Sequence, residues 1–255
     1  MQQKTILISL NEGISIRYIL QTDIFSTLKK NGIKIVLLTP NAEDKVFQKR
    51  YSSENIFFEK LATDKYRTYF HRRKIQRLLK PVRWFTLNGK HDISTIDDWY
   101  QKMYKAERPS RGLHNKIRNF IEDGLIKVLR TSKTLRKLLI KLECFFFTPF
   151  FHSHIFLKHK PELVLITSLG FFDFDQYIMR EAKKHGTKII SMILSWDNTS
   201  TRGMAGASPD HIIAWTDIMK KELVELHDID PEKIVTGGVA QFDHYYKKEF
   251  IYNLD

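Results

Sequence analysis

Apolar runs without polar alternation constrain this chain most. Ile33–Leu38 (IKIVLL), Thr5–Leu10 (TILISL), Leu163–Thr167, Thr187–Leu194 and His211–Trp215 are short, rich in β-branched residues and apolar almost throughout. A strand with one wet face alternates apolar and polar residues. A continuous run is tenable only where both faces are covered, which is the situation of a parallel sheet flanked by helices. The segments between these runs supply such helices. In Ile14–Lys30 the apolar positions Ile16, Ile19, Leu20, Ile24 and Leu28 fall on one helical face, and Asn31-Gly32 closes the segment as glycine closes helices. Thr39-Pro40 stops the next strand. A helix at Ala42–Tyr51 and a strand at Asn55–Leu61 continue the rhythm, which resumes with a helix at Phe171–His185 ended by Gly186. A helix at Asp217–His227 and a last strand at Lys233–Thr236 complete it. The sequence predicts an α/β fold: a doubly wound, Rossmann-like parallel sheet of about seven strands.

Between about residues 65 and 160 no strand is evident, and the chain becomes helix-compatible and basic. Residues 1–160 carry 32 Lys+Arg against 14 Asp+Glu, whereas residues 161–255 carry 10 against 15. The net +13 therefore belongs to the first part. The predicted organisation is one Rossmann-like domain over residues 1–255 with a basic helical insertion at about 65–160. Ile117, Ile121, Leu125, Val128, Leu129, Leu135, Leu138, Leu139 and Leu142 mark a long amphipathic stretch there. Its polar face is read as Lys116, Arg118, Lys127, Arg130, Lys133, Arg136, Lys137 and Lys141. Such a face suits an anionic partner, with a merely solvated face as the ordinary alternative. Acidic lipid, a phosphorylated substrate and nucleic acid are the partner classes. Aromatic residues Tyr66, Tyr69, Phe70 and Trp84 could stack bases, but no nucleic-acid motif accompanies them, which argues against that partner.

One cysteine, Cys144, precludes an internal disulfide and points to a reducing, cytoplasmic setting. The start of the chain reads as a strand rather than a secretion signal, and no apolar stretch approaches the roughly 18 residues of a membrane span. Peripheral attachment at the inner membrane face is compatible with the basic insertion. The ten histidines lack metal-ligand spacing, so no metal and no resident cofactor are expected. The loop after the first strand, Asn11-Glu12-Gly13, is not G-x-G-x-x-G, and neither a phosphate-binding G-x-x-x-x-G-K-[ST] loop nor a G-x-S-x-G elbow occurs.

Ligands of open parallel sheets bind beyond the carboxyl ends of the strands. That rule nominates Gly13 with Arg17, Ser168 with Gly170, the run Ser195-Trp196-Asp197-Asn198 through Arg202, and Gln241 with Asp243. Gly13 would let an anion approach a helix start. The hydroxyl, carboxylate, amide and guanidinium groups of Ser195–Arg202 can bind sugar hydroxyls or phosphate, although the same residues also favour turns.

The stretch from Pro161 to Tyr246 resembles GT-B proteins of bacterial surface-carbohydrate and teichoic-acid-type synthesis. EAKKHGTKII, SWDNTSTRG, SPDHIIAWTDIMKKELVELHDIDPEKIVTGG and QFDHYY carry the resemblance. It implies the amino-terminal, acceptor-binding half of a glycosyltransferase or CDP-glycerol glycerophosphotransferase-like enzyme. In that setting Glu12 or Asp197 would deprotonate a carbohydrate or polyol-phosphate acceptor, and Ser168, Asn198 and Arg202 would orient substrate. A nucleotide-activated donor would be the second substrate, held by a carboxy-terminal domain that the sequence to Asp255 does not include, or by a separate chain. The competing expectation is a non-catalytic membrane-surface or scaffold module working through the basic helices.

Overall fold

The computed structural model describes residues 3–91, 93–170, 173–243 and 245. The chain begins β1 (Thr5–Ser9), α1 (Gly13–Leu20), α2 (Asp23–Lys30), β2 (Lys34–Thr39), α3 (Lys45–Tyr51) and β3 (Ile56–Lys60). A run of helices follows: α4 (Thr63–Arg72), α5 (Lys74–Trp84), α6 (Ser94–Asp98), a π-helical turn (Trp99–Tyr104), α7 (Lys105–Glu107), α8 (Leu113–Thr131), α9 (Lys133–Phe146) and α10 (Ser153–His159). Then come β4 (Leu163–Ile166), α11 (Asp173–Lys184), β5 (Lys188–Met192), α12 (Asn198–Thr201), β6 (His211–Ala214), α13 (Asp217–His227) and β7 (Ile234–Thr236), and a 3₁₀ turn at Ala240–Phe242.

The seven strands form one sheet in the order β3-β2-β1-β4-β5-β6-β7, every pair parallel. The continuous apolar runs are explained by what covers each face. Ile8, Ile35 and Leu37 point to one side and pack with Tyr18 and Ile19 of α1, Phe25 of α2, Phe47 of α3 and Leu223 of α13. Leu7, Val36 and Leu38 point to the other and pack with Tyr66 of α4, Phe156 of α10 and Tyr177 and Ile178 of α11. Each fully buried Leu or Ile contributes about 1.5–3 kcal/mol relative to exposure, so a register slip would be costly.

One segment read from sequence as a single helix, and one read as a long amphipathic stretch, are each divided in two. Residues 14–30 form α1 and α2, because Thr22 takes extended backbone angles and its hydroxyl donates back to the Tyr18 carbonyl at 2.9 Å. Residues 117–142 belong to α8 and α9. Ser132 separates them, its hydroxyl accepting from the Leu135 N–H at 3.3 Å as an N-cap. The start of the helix expected at Phe171–His185 lies outside the described residues, as do His244 and Tyr246 of QFDHYY.

The helices between β3 and β4 divide into two groups. Those at the ends, α4 and α10, pack on the sheet. From the end of α5 through α8 a separate apolar cluster forms, with Val82, Phe85, Ile96, Tyr100 and Ile126 closing on Met204 and Leu226. The expected basic face of α8 and α9 is corrected here. Arg136 is only 2% exposed and grips Asp228 through Nε and Nη2 at 2.6 and 2.9 Å. Arg130 pairs with Asp97 at 2.6 Å. Arg136 thus holds α9 to the residue after α13, and Arg130 ties α8 to α6, while Ile117, Ile121, Leu125 and Val128 face outward.

Candidate functional site

The order of strands creates a switch point between β1 and β4. The chain leaving β1 turns into α1 on one face of the sheet, and the chain leaving β4 turns into α11 on the other. Loops that part in this way leave a crevice beyond the strand ends. Glu12 and Gly13 open α1 and are both exposed at its start. Behind them the two loops are joined by side chains. The Asn11 amide and the Ser168 hydroxyl both donate to the carboxylate of Asp175, in the first turn of α11. The Ser9 hydroxyl donates to Asn11 Oδ1 at 3.2 Å, and Ser168 Oγ accepts the Gly170 N–H at 3.0 Å. Thr167 and Ser15 share a hydroxyl hydrogen bond of 2.7 Å, and the Ser191 hydroxyl of β5 donates to the Ser168 carbonyl.

Asp175 has 1% of its surface exposed. Burial pushes its carboxyl up to about 7; the nearby Glu12 charge adds to the rise, and the hydrogen bonds from Ser168 and Asn11 oppose it. A buried carboxyl balanced near neutrality at a switch point is the arrangement associated with binding or proton transfer. Sequence reasoning missed Asp175. The only local signal was an acidic residue near a helix start, which ordinarily reads as a dipole partner. Gly170 belongs to the same frame: its φ of +77° is left-handed, and a Cβ there would stand 3.0 Å from Met179 Sδ.

The loop after β5 is organised differently. Asp197 accepts from the Ser195 hydroxyl at 2.5 Å and from Thr201 Oγ1 at 3.2 Å. The Ser195 hydrogen bond foremost, with help from Thr201 and Arg202, holds its carboxyl below the ordinary aspartate range. Asn198 is buried, and the next residue, Thr199, is tied to α13: its hydroxyl donates to Glu222, and its carbonyl accepts from His227 Nε2 at 2.7 Å. Burial lowers His227 to about 4, so the ring is a neutral anchor. Trp196, 74% exposed, stands outside this turn.

From Arg202 the chain runs into a buried charge network. Arg83 donates to the Met204 carbonyl at 2.5 Å and pairs with Glu143 at 2.7 Å. Arg180, whose guanidinium is lowered by burial, donates from Nε and Nη2 to the Gly206 carbonyl at 2.9 and 2.7 Å. Gly206 also donates its N–H to the Gly170 carbonyl at 3.3 Å. A Cβ on Gly206 would fall 1.8 Å from Gln176 Oε1, so this close approach needs glycine. The network fixes the far wall of the β4 loop.

Arg17 and Gln241 meet elsewhere. Together with Arg50, Tyr51, Phe242 and Tyr245 they line a groove of about 770 Å³ on the outer side of α1. Trp215 supports Phe242 of this lining: it stacks on Tyr18 with ring centroids 6.4 Å apart and meets Phe242 edge-on at 6.2 Å. Asp243 follows on the same turn, close enough for its charge to add to the burial that raises Tyr18 to about 12. The residues nominated from sequence therefore fall into three places. Glu12, Gly13, Ser168 and Gly170 gather at the switch point; Ser195, Trp196, Asp197, Asn198 and Arg202 form a turn braced largely by itself and α13; Arg17 and Gln241 line the groove, and Asp243 follows its Phe242 in sequence.

No model of a known protein family matches the chain, and no curated protein matches it in sequence.

Proposed function

We propose that this chain is the acceptor-binding half of a glycosyl- or glycerophosphotransferase of surface-polysaccharide type. The observation that carries the reading is the side-chain bridge Asn11–Asp175–Ser168, which welds the β1 and β4 loops into one polar wall behind the exposed Glu12 and Gly13. In this proposal the acceptor is a carbohydrate or polyol phosphate whose hydroxyl lies against Glu12. Glu12 takes the hydroxyl proton as the acceptor oxygen bonds to the anomeric carbon, or to the phosphorus, of a nucleotide-activated donor, and the nucleotide leaves with the bonding electrons. The donor is held by a carboxy-terminal domain or a separate chain. Asp175 acts as a positioning residue. With its carboxyl near 7 it keeps Asn11 and Ser168 fixed without a permanent full charge behind Glu12. Asp197 is the weaker candidate base, because its oxygens are already committed to Ser195 and Thr201.

The test is transfer from a panel of nucleotide sugars and CDP-glycerol in the presence of the donor-binding partner. Glu12→Gln should lower turnover by about 10²–10⁴ while acceptor affinity changes little. Full turnover in Glu12→Gln, or an acceptor footprint by NMR confined to the Arg17–Gln241 groove, would refute the assignment.

A further inference from the structure

The outer surface of the helical layer carries a pattern opposite to that of an ordinary surface helix. Along α8 the exposed large apolar residues are Leu113, Ile117, Phe120, Ile121, Leu125 and Val128, spaced at i, i+4, i+7, i+8, i+12 and i+15; Phe120 is 80% exposed. The buried residues of the same helix are Asn119, Glu122 and Ile126. On α9, Leu135, Leu138, Leu142, Phe145 and Phe146 are exposed, and the buried pair is Arg136 and Glu143. Asn119, Glu122, Arg136 and Glu143 point in, where partners satisfy them, and a stripe of large apolar side chains points out. The apolar face continues onto α5 through a groove of about 390 Å³ lined by Ile75, Leu78, Leu79, Ile117, Ile121 and Leu125.

Charge sorts in the same way. The acidic residues of α8 and α9 are Glu122, Asp123 and Glu143, and each is engaged by an arginine: Arg108 lies 3.3 Å from Glu122 and 2.7 Å from Asp123, and Arg83 lies 2.7 Å from Glu143. The exposed charges on the two helices are Lys116, Lys127, Lys133, Lys137 and Lys141, all positive. Lys133 and Lys137 have Asp230 of the neighbouring loop within 4.0 Å, whereas Lys116, Lys127 and Lys141 face outward with no carboxylate at that distance among the described residues. An apolar face flanked by cations alone is complementary to an anionic lipid bilayer, with apolar side chains among the acyl chains and lysines at the headgroups. It is a poor match for a second copy of this chain, because lysines would then oppose lysines.

We propose that α8, with the adjoining faces of α5 and α9, lies in the plane of an anionic bilayer surface. The inference is independent of the acceptor-site reading, since it uses none of the switch-point residues. Cosedimentation with vesicles tests it, using phosphatidylcholine alone and phosphatidylcholine mixed with phosphatidylglycerol. The parent chain should partition into the mixed vesicles at least about tenfold better than into the neutral ones, and added salt should weaken the binding. Lys116→Gln and Lys127→Gln should each reduce partitioning about fivefold, whereas Lys188→Gln, an exposed lysine at the start of β5, should not change it. The triple variant Ile117→Ser/Phe120→Ser/Ile121→Ser should abolish binding while its circular dichroism and thermal midpoint stay those of the parent, because these side chains are already in water. The lysine variants keep the test decisive if the triple variant misfolds. Absence of binding by the parent, equal binding to both vesicle types, or a dimer in sedimentation equilibrium that the triple variant dissolves would overturn the proposal.

Discussion

Helices α8 and α11 are both amphipathic, and the structure uses them in opposite senses. Every described side chain of α11 from Asp175 to Ala182 is buried, apolar and charged alike: Tyr177, Ile178 and Met179 fill the core, while Asp175, Arg180 and Glu181 are satisfied by specific partners. Glu181, for example, accepts the His152 N–H at 3.0 Å and the Ser153 hydroxyl at 2.9 Å, which caps α10 from outside. On α8 only the polar side is satisfied from within, and the apolar side is left in solvent. Amphipathic spacing alone therefore does not say which face of a helix is the inner one. Fixed partners for the polar groups decide it, because an unpaired buried charge costs more than an exposed leucine.

The largest effect should come from breaking a charge that the structure has turned inward. Arg136→Leu leaves Asp228 buried without its guanidinium, and chemical denaturation should show a loss of about 3–5 kcal/mol. Lys137→Leu, one residue on and exposed, should cost less than about 0.5 kcal/mol. Equal losses would mean that the two faces of α9 are not distinct.

Next in size is the apolar counterpart. Ile178→Ala in α11 should cost about 2–5 kcal/mol, and Ile117→Ala in α8 less than about 0.5, because one side chain is 0% exposed and the other 50%. A costly Ile117→Ala would place α8 against something in the free protein and remove the ground for a bilayer-facing surface.

These contrasts also show what was legible beforehand. The central strands could be read because doubly covered strands are apolar almost throughout, a property of a few adjacent residues. Segment Asp217–His227 was likewise local, bounded by the Thr216 hydroxyl that accepts from the Met219 N–H at 3.3 Å. The orientation of α8 and α9 was not local. It depends on Arg108, Asp228 and Arg83, and Asp228 is 92 residues from Arg136. Asp175 was hidden for the same reason, since its Asn11 partner is 164 positions away. The Thr22 break could have been recognised, because Thr-Asp inside an apolar helical pattern is an N-cap signature. Of the nominated residues, the positions of Gly13 and Ser168 beyond the ends of β1 and β4 followed from topology alone, whereas the placing of Arg17 and Gln241 in another groove required the fold-back of residues 240–242 onto α1.

A third effect probes the switch point through pH. The Asp175 carboxyl sits at about 7 in the folded chain, against an ordinary value of 3.8. Between pH 4 and 7 the folded state therefore keeps a proton that the unfolded state has lost, so this residue makes stability fall as pH rises through that window and stay low above it. Asp175→Asn should remove the slope. The variant should match the parent near pH 4 and exceed it by on the order of 2–4 kcal/mol at pH 8. A constant difference across the range would place the buried proton on another group.

The smallest effect decides what the β5 loop is for. Asp197 is the reverse case, a partly exposed carboxyl held below its ordinary range by the Ser195 hydroxyl first and by Thr201. Its contribution is present above the unfolded aspartate value and is lost as pH falls through the lower folded value. Solvent screening keeps that contribution small, so Asp197→Asn should cost about 0.5–1 kcal/mol at pH 7 and almost nothing at pH 2. If the proposed acceptor site is right, Asp197→Asn should leave acceptor binding at the switch point unchanged, since the Asp197 oxygens already serve the turn that sets α12 against α13. Thr201→Ser should reproduce the parent, and Thr201→Val should flatten the pH dependence only in part, because the Ser195 hydroxyl still donates to the carboxylate. If Asp197→Asn instead weakens acceptor binding at full stability, the carboxylate belongs to the ligand rather than to the turn, and the crevice extends across the ends of β1, β4 and β5 together.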